Sequence, residues 1–355
     1  MGIRKMAQAK ETPSDVEARM KPVDQAWLDS GLEDVLEPDL PIIDPHHHLW
    51  DFRNYRYMLD EILNDTGSGH NVRSTVFIEC TAMWRPKGSC PDHMRPIGET
   101  EYVNGIAAMS ASGRYGETRV AAGIVSHADL MLGDGVEEVL TAHDRAGGGR
   151  FRGIRYSVSH DDASEIHNSH TGAHKDALQT PDVQAGLRKL GDMGHTFEAW
   201  MYHPQLENVS ICADAAPNTK MVLNHCGGPL GIGPYSGKSA EVFPIWKASI
   251  QEVAKRPNVY AKLGGLGMVI NGFDFQNQAR PPSSEDLAKA WRPFIETLIE
   301  AFGPNRCMFE SNFPVDKISG SYRTYWNAFK RLASGASDNE KAALFHDTAK
   351  SFYRL

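Results

Sequence analysis

Residues 41–51, PIIDPHHHLWD, decide how the rest of the chain is read. Ile42 and Ile43 lead into Asp44, and three consecutive histidines then precede Leu49, Trp50 and Asp51. On a β-strand alternate side chains share a face, so His46 and His48 point together into one cavity while His47 points away. Two convergent imidazoles make half of a metal site, because neutral imidazole is the commonest metal ligand.

Working outward, this is the first of eight short apolar runs, at 40–49, 74–80, 119–125, 153–158, 196–202, 220–223, 259–263 and 306–309. Each is apolar enough to be buried on both faces, as a parallel strand must be. Helical patterns fall between them at 98–112, 135–146, 182–193 and 284–302, with a last one at 338–353. The alternation predicts an α/β fold, a (β/α)8 TIM barrel over residues 41–355. Residues 1–40 are polar, Pro-punctuated and rich in charge, Lys10, Glu11, Asp15, Glu17 and Lys21 among them. They read as an N-terminal extension, flexible or draped over the body. Three long connections, 83–96, 159–181 and 268–282, all follow strands, which in a barrel puts them on the catalytic face as lids and substrate walls.

Composition narrows the class. With 41% hydrophobic and 23% charged residues, the 355-residue chain reads as an ordinary soluble enzyme. The net charge of −8, without a basic stripe, gives no reason to expect nucleic acid. No stretch has the length of a membrane span and the N-terminus carries no secretory pattern. The five cysteines are odd in number and unpaired in spacing, which fits a reducing cytoplasm better than a disulfide framework.

In such a barrel the residues that end each strand converge. Those ends carry His46 and His48, Glu79, His127, Arg155, His203, Asn224 and His225, Lys262, and Glu310 and Asn312. Imidazoles from the first, fifth and sixth strands plus a carboxylate would make a three-to-five-ligand site for zinc, manganese or iron. Glu79 is either a ligand or an ion-pair partner of Arg155. His127 either joins the metal or caps the following turn. Arg155 and Lys262 either clamp a substrate carboxylate or neutralise buried acids. Trp50, Trp84, Trp200 and Tyr202 offer flat apolar walls, and the substrate reads as a small carboxylated or cyclic molecule.

DPHHHLWD, GIRYSV, LNHCGGP, KLGGLGM and MFESNFPVDK, in this order, resemble the Amidohydro_2 branch of the amidohydrolase superfamily, metal-dependent TIM-barrel hydrolases that include sugar-acid and pyrone-dicarboxylate lactonases. The resemblance runs from residue 41 to 355 and implies that His46 and His48 are the first-strand metal pair, His203 the fifth-strand and His225 the sixth-strand histidine. It also implies an eighth-strand aspartate at position 312, where this chain has Asn312. An amide has no basic lone pair to take a proton, so Asn312 cannot be the general base. Water is then activated by the metal, with Asn312 hydrogen-bonding to it, or Glu79 or Asp316 takes over as base.

The expectation is a metal-dependent hydrolase opening a lactone or related ester or amide bond. Its metal set is His46, His48, Glu79, His203 and His225, and its catalytic residues are His225, Asn312 and Arg155. Zinc or manganese is the expected divalent metal. Two other readings stay open: a dinuclear non-haem iron oxygenase on the same barrel, and a degenerate partner subunit of a related active chain. A homo-oligomer or a hetero-oligomer with such a chain is compatible with either.

Overall fold

The structure is a computed structural model that describes Glu17, Met20 and residues 22–355. Lys10, Glu11, Asp15 and Lys21 of the expected arm lie outside the described residues. Eight strands form one sheet: β1 Pro41–His47, β2 Asn71–Ile78, β3 Arg119–Ser126, β4 Phe151–Ser157, β5 Thr196–Trp200, β6 Met221–Leu223, β7 Val259–Leu263 and β8 Cys307–Phe309. They lie side by side in chain order, every neighbouring pair parallel. The end of β8 returns to β1 where Asn312 N donates to His46 O at 3.0 Å and His48 N donates to Phe313 O at 2.8 Å. This is the (β/α)8 barrel, and each of the eight apolar runs overlaps one of its strands.

One helix follows each strand: α1 Leu59–Thr66, α2 Ile97–Ala111, α3 Val136–Gly147, α4 Pro181–Asp192, α5 Glu207–Ala215, α6 Ser239–Val253, α7 Ser284–Phe302 and α8 Tyr322–Leu332. Ser283 caps α7, its hydroxyl accepting from Asp286 N while the Asp286 side chain reaches back to the cap. Four of the eight, α1, α5, α6 and α8, were not among the sequence-predicted helices. Pro244 inside α6 hides that helix from a propensity reading. The expected helix 338–353 is divided into Asp338–Ala342, a π turn over Ala343–Asp347, and Thr348–Tyr353.

Burial follows the strand period. Ile43, Val76, Ile78, Val125, Val222 and Met308 fill the barrel interior, joined there by Phe352 and Tyr353 of the terminal helix. Ile42, Phe77, Ile124, Phe197, Leu223 and Phe309 face outward into the helical layer. A β-strand alternates its faces, so each strand can serve both cores. At the end of β1, His47 turns outward: its Nε2 lies 2.8 Å from Thr75 Oγ1 and its ring packs edge-on to Phe77. His46 and His48 stay together with ring centroids 5.0 Å apart.

A short hairpin, Trp50–Phe52 paired with Tyr55–Tyr57, follows β1. All five cysteines are free, four of them buried. Among the described residues no helix is long and apolar enough to cross a membrane.

Candidate active site

Where the strands end, their polar residues close on one another. His46, His225 and Glu310 bring their ligand atoms within 4.8 Å of each other, all three buried. Glu310 Oε1 lies 2.8 Å from His225 Nδ1 and 3.0 Å from its backbone N, while Oε2 lies 2.7 Å from His46 Nδ1. Burial pushes both imidazoles below their ordinary range, His46 further by the ammonium of Lys262 beside it. Both rings are therefore neutral at physiological pH, each with one N–H and one lone pair. Facing the Glu310 carboxylate, His225 carries its proton on Nδ1 and keeps its lone pair on Nε2. Its ring also requires Gly265 opposite, where a Cβ would sit 2.4 Å from Nδ1.

Two cations flank His46. Lys262 Nζ lies 3.2 Å from its Nδ1, and Arg155 Nη1 lies 3.4 Å from its Nε2. Each cation has its own carboxylate: Arg155 Nε donates to Glu79 Oε1 at 2.7 Å, and Lys262 Nζ pairs with Glu198 Oε2 at 2.7 Å. Lys262 also donates to Pro45 O at 2.9 Å, and Glu198 accepts from Asn224 Nδ2 and from the Tyr353 hydroxyl of the terminal helix. A chain of contacts thus runs from the terminal helix through the barrel interior to His46. With two formal ion pairs complete, Glu310 is the carboxylate of these three that is matched only by neutral imidazoles. Its Oε2 is buried without a well-aligned hydrogen bond. A compact, net-negative set of two imidazoles and a carboxylate fits a divalent cation in donor number and chemistry.

Above this layer opens a cavity of about 720 Å3, whose lining includes His48, Arg155, His170, His225 and Asn312. Trp50 and Tyr55 come from the hairpin, Trp200 and Tyr202 from the end of β5, and Met268, Val269 and Ile270 from the loop after β7. His48 Nδ1 lies 2.8 Å from the Ile78 carbonyl, so its N–H points there and Nε2 is left as an acceptor. The connections 159–181 and 268–282 both supply lining residues, as expected of catalytic-face loops; none of the lining residues comes from 83–96.

The five sequence-predicted metal residues do not all gather. His46 and His225 lie in the buried cluster, and His48 lies beside it. Glu79 is engaged elsewhere, with Arg155 on Oε1 and His170 Nε2 at 3.1 Å from Oε2. Burial alone would raise its carboxyl, but His170 and Arg155 hold it well below the usual range. His203 packs edge-on to Tyr235, and its Nδ1 accepts from Leu230 N at 3.3 Å. The structure does not bring it into the cluster. Glu310, not Glu79, is the carboxylate that lies between His46 and His225. The signal was present, since Glu310 ends the eighth run, but the resemblance drew attention to position 312 instead. His127 makes no cap: its ring stacks between Trp84 and Tyr156, and Asp129 caps the turn.

Asn312 lines the cavity with a left-handed backbone, φ 55°, as does His225 at φ 51°. Such conformations cost roughly 1 kcal/mol or more each and are held in place by their surroundings. The Asn312 amide donates from Nδ2 to Asp316 Oδ1 at 2.7 Å, and its Oδ1 is buried without a partner.

The chain belongs to the amidohydrolase family, whose Amidohydro_2 profile matches residues 43–355. The uncharacterized protein y4mH of Sinorhizobium fredii is 33% identical over 89% of this chain and 99% of its own length. An L-fucono-1,5-lactonase of Burkholderia multivorans is 24% identical, covering 88% of this chain and 96% of that protein. Among solved structures, an amidohydrolase from Burkholderia multivorans with bound zinc superposes with a TM-score of 0.68 at 21% identity, over 88% of this chain and 99% of its own. The solved amidohydrolase shares the fold; the site geometry described above is this chain's own.

Proposed function

We propose that this protein is a metal-dependent hydrolase that opens a lactone, or a related cyclic ester, of a small molecule. The observation that carries this reading is the buried His46–Glu310–His225 set lying under a cavity lined by Arg155, His48 and Asn312. The named lactonases among its relatives support the choice of bond. A divalent ion of the zinc or manganese kind, held by His46, His225 and Glu310, would supply Lewis acidity and a water of lowered pKa.

The chain's own groups do the rest. Glu310 fixes the tautomer and tilt of His225. Arg155, locked in the plane set by Glu79, keeps N–H groups for a substrate carbonyl or carboxylate oxygen. His48 Nε2 and Asn312 Oδ1 offer acceptors that orient the attacking water or a substrate hydroxyl. Trp50, Tyr55, Trp200 and Tyr202 hold the ring of the substrate and exclude bulk water.

The engagement of both Glu79 oxygens weighs against a dinuclear iron centre, which would need that carboxylate to bridge. A cavity that keeps its polar floor weighs against a decayed partner subunit. The test is metal content per chain together with hydrolysis of an aldono-lactone panel that includes L-fucono-1,5-lactone. About one zinc or manganese per chain and turnover that is lost in His225→Ala support the reading. Two irons with oxygen consumption, or no lactone opened by a metal-replete enzyme, would sink it.

A further inference from the structure

The N-terminal segment precedes the residues that match the family, which begin at 43. Relatives are covered over 96% to 99% of their own length by 88% to 89% of this chain, so the shared barrel does not need the whole of it. Yet this segment is tied down along its described length. Lys330 Nζ donates to Leu36 O at 2.7 Å and Glu37 O at 2.8 Å, and Asn327 Nδ2 donates to Asp34 O at 2.8 Å. Glu33 accepts from the backbone N and the hydroxyl of Ser284 at the start of α7. A one-turn helix, Gln25–Asp29, capped by Asp24, buries Leu28 and sends the Trp27 indole N–H to Gln278 O at 3.0 Å.

Those anchors lead across the catalytic face. Gln278 belongs to the loop after β7, whose Met268, Val269 and Ile270 line the cavity. On the other flank of the β8 end, Glu17 Oε1 accepts from Arg53 N at 3.0 Å, in the turn of the hairpin whose Trp50 and Tyr55 line the cavity. Between these two attachments Met20 enters the lining itself and packs against the hydrophobic core. A thioether side chain here is adaptable and apolar, with no group that could take part in hydrolysis.

We propose that the described part of the N-terminal segment is a specificity element of the active site: Glu17 and Trp27 attach to two loops whose residues line the cavity, and Met20 forms an apolar face against which a nonpolar part of the substrate packs. The substrate class is a lactone carrying an apolar substituent, an assignment that rests on the lactonase reading above. The strap itself does not rest on it.

Two measurements on the full chain separate these. The first is kcat/KM of wild type, Met20→Ala and Met20→Trp for a series of γ-lactones with straight alkyl substituents of rising length. The chain length preferred is expected to move up in Met20→Ala and down in Met20→Trp. Preference between successive lengths should change by about tenfold, the scale of one methylene in an apolar pocket. The second is fluorescence titration with 8-anilinonaphthalene-1-sulfonate, whose ring suits the apolar walls and whose sulfonate suits Arg155; Met20→Glu should weaken its binding about tenfold. Met20→Glu is checked for an unchanged thermal midpoint, and Trp27→Phe, which removes the indole donor and keeps an aromatic ring, is the milder variant if it falls. Unchanged dye binding in both variants would overturn the strap. Wild type that opens no lactone while Met20→Glu still loses the dye would overturn the substrate class and leave the strap standing. A length profile identical in all three lactone-assayed chains would overturn Met20 as the specificity residue.

Discussion

Asn312 hands its amide hydrogen to Asp316 across 2.7 Å, and both side chains are buried. Burial pushes the Asp316 carboxyl well above the carboxylate range, with Gly267 N and Asn312 as its donors. The amide orientation is therefore set from behind, and Asn312 presents an oxygen, not a base, to the cavity.

Replacing it, Asn312→Asp, would put two carboxyls in that contact. They cannot both ionise, so the pair keeps a proton whose folded-state pKa lies above the unfolded value. Stability from such a pair is present at low pH and lost as pH rises through the folded value. The thermal midpoint of Asn312→Asp should fall behind wild type increasingly from about pH 5 to about pH 9. Scanning fluorimetry across that range checks it, and a gap that stays constant counts against the shared proton.

Glu310 touches both cluster histidines. Glu310→Gln keeps the size but leaves one acceptor oxygen and introduces N–H groups that face ring N–H groups. Metal retained after dialysis and kcat are both expected to drop by about 10- to 100-fold, the usual cost of losing a carboxylate that orients a histidine. Elemental analysis beside steady-state kinetics distinguishes this from a general loss of fold.

The terminal helix reaches the site through Glu198. Tyr353→Phe removes one donor to that buried carboxylate and should cost about 2 kcal/mol. Lys262→Met strands Glu198 without its cation and should cost about 3 to 5 kcal/mol. Urea unfolding of both single variants and the double gives the coupling, and strictly additive losses would argue against a connected chain.

Acid sensitivity has a source away from the His46–Glu310–His225 cluster. His143 donates from Nε2 to His127 O at 3.0 Å and accepts at Nδ1 from Thr100 Oγ1 at 2.8 Å, and burial lowers it from 6.5 to about 3. His70, between Lys330 Nζ and Arg323 O, is lowered to about 4, first by burial and then by Lys330. Between the folded and unfolded values the unfolded chain holds the extra proton, so stability rises with pH. It should fall as pH drops below about 6.5, by up to about 1.4 kcal/mol per unit for each histidine. Unfolding free energies between about pH 7 and about pH 4 test this, and His143→Gln should flatten the slope.

The barrel was legible because its strands are buried on both faces, and a run such as 259–263 announces itself by composition alone. The alternation of His46, His47 and His48 was legible for the same reason: a period of two leaves no choice of face. Helices α5 and α6 were not legible, since Asn208, Val209, Ser210 and Cys212 in one and Pro244 in the other weaken the local preference that tertiary packing then overrides.

What the sequence determined by itself was the order of the eight strands and the list of polar residues at their ends, because local periodicity encodes both. Only the tertiary structure decided which of those residues meet. Glu79 and Glu310 are both strand-end glutamates, indistinguishable in a list. One lies beside Arg155 and is ion-paired there; the other lies between two imidazoles, His46 and His225. That difference depends on distances across the barrel, between residues far apart in the chain, and electrostatics in a buried site follows those distances.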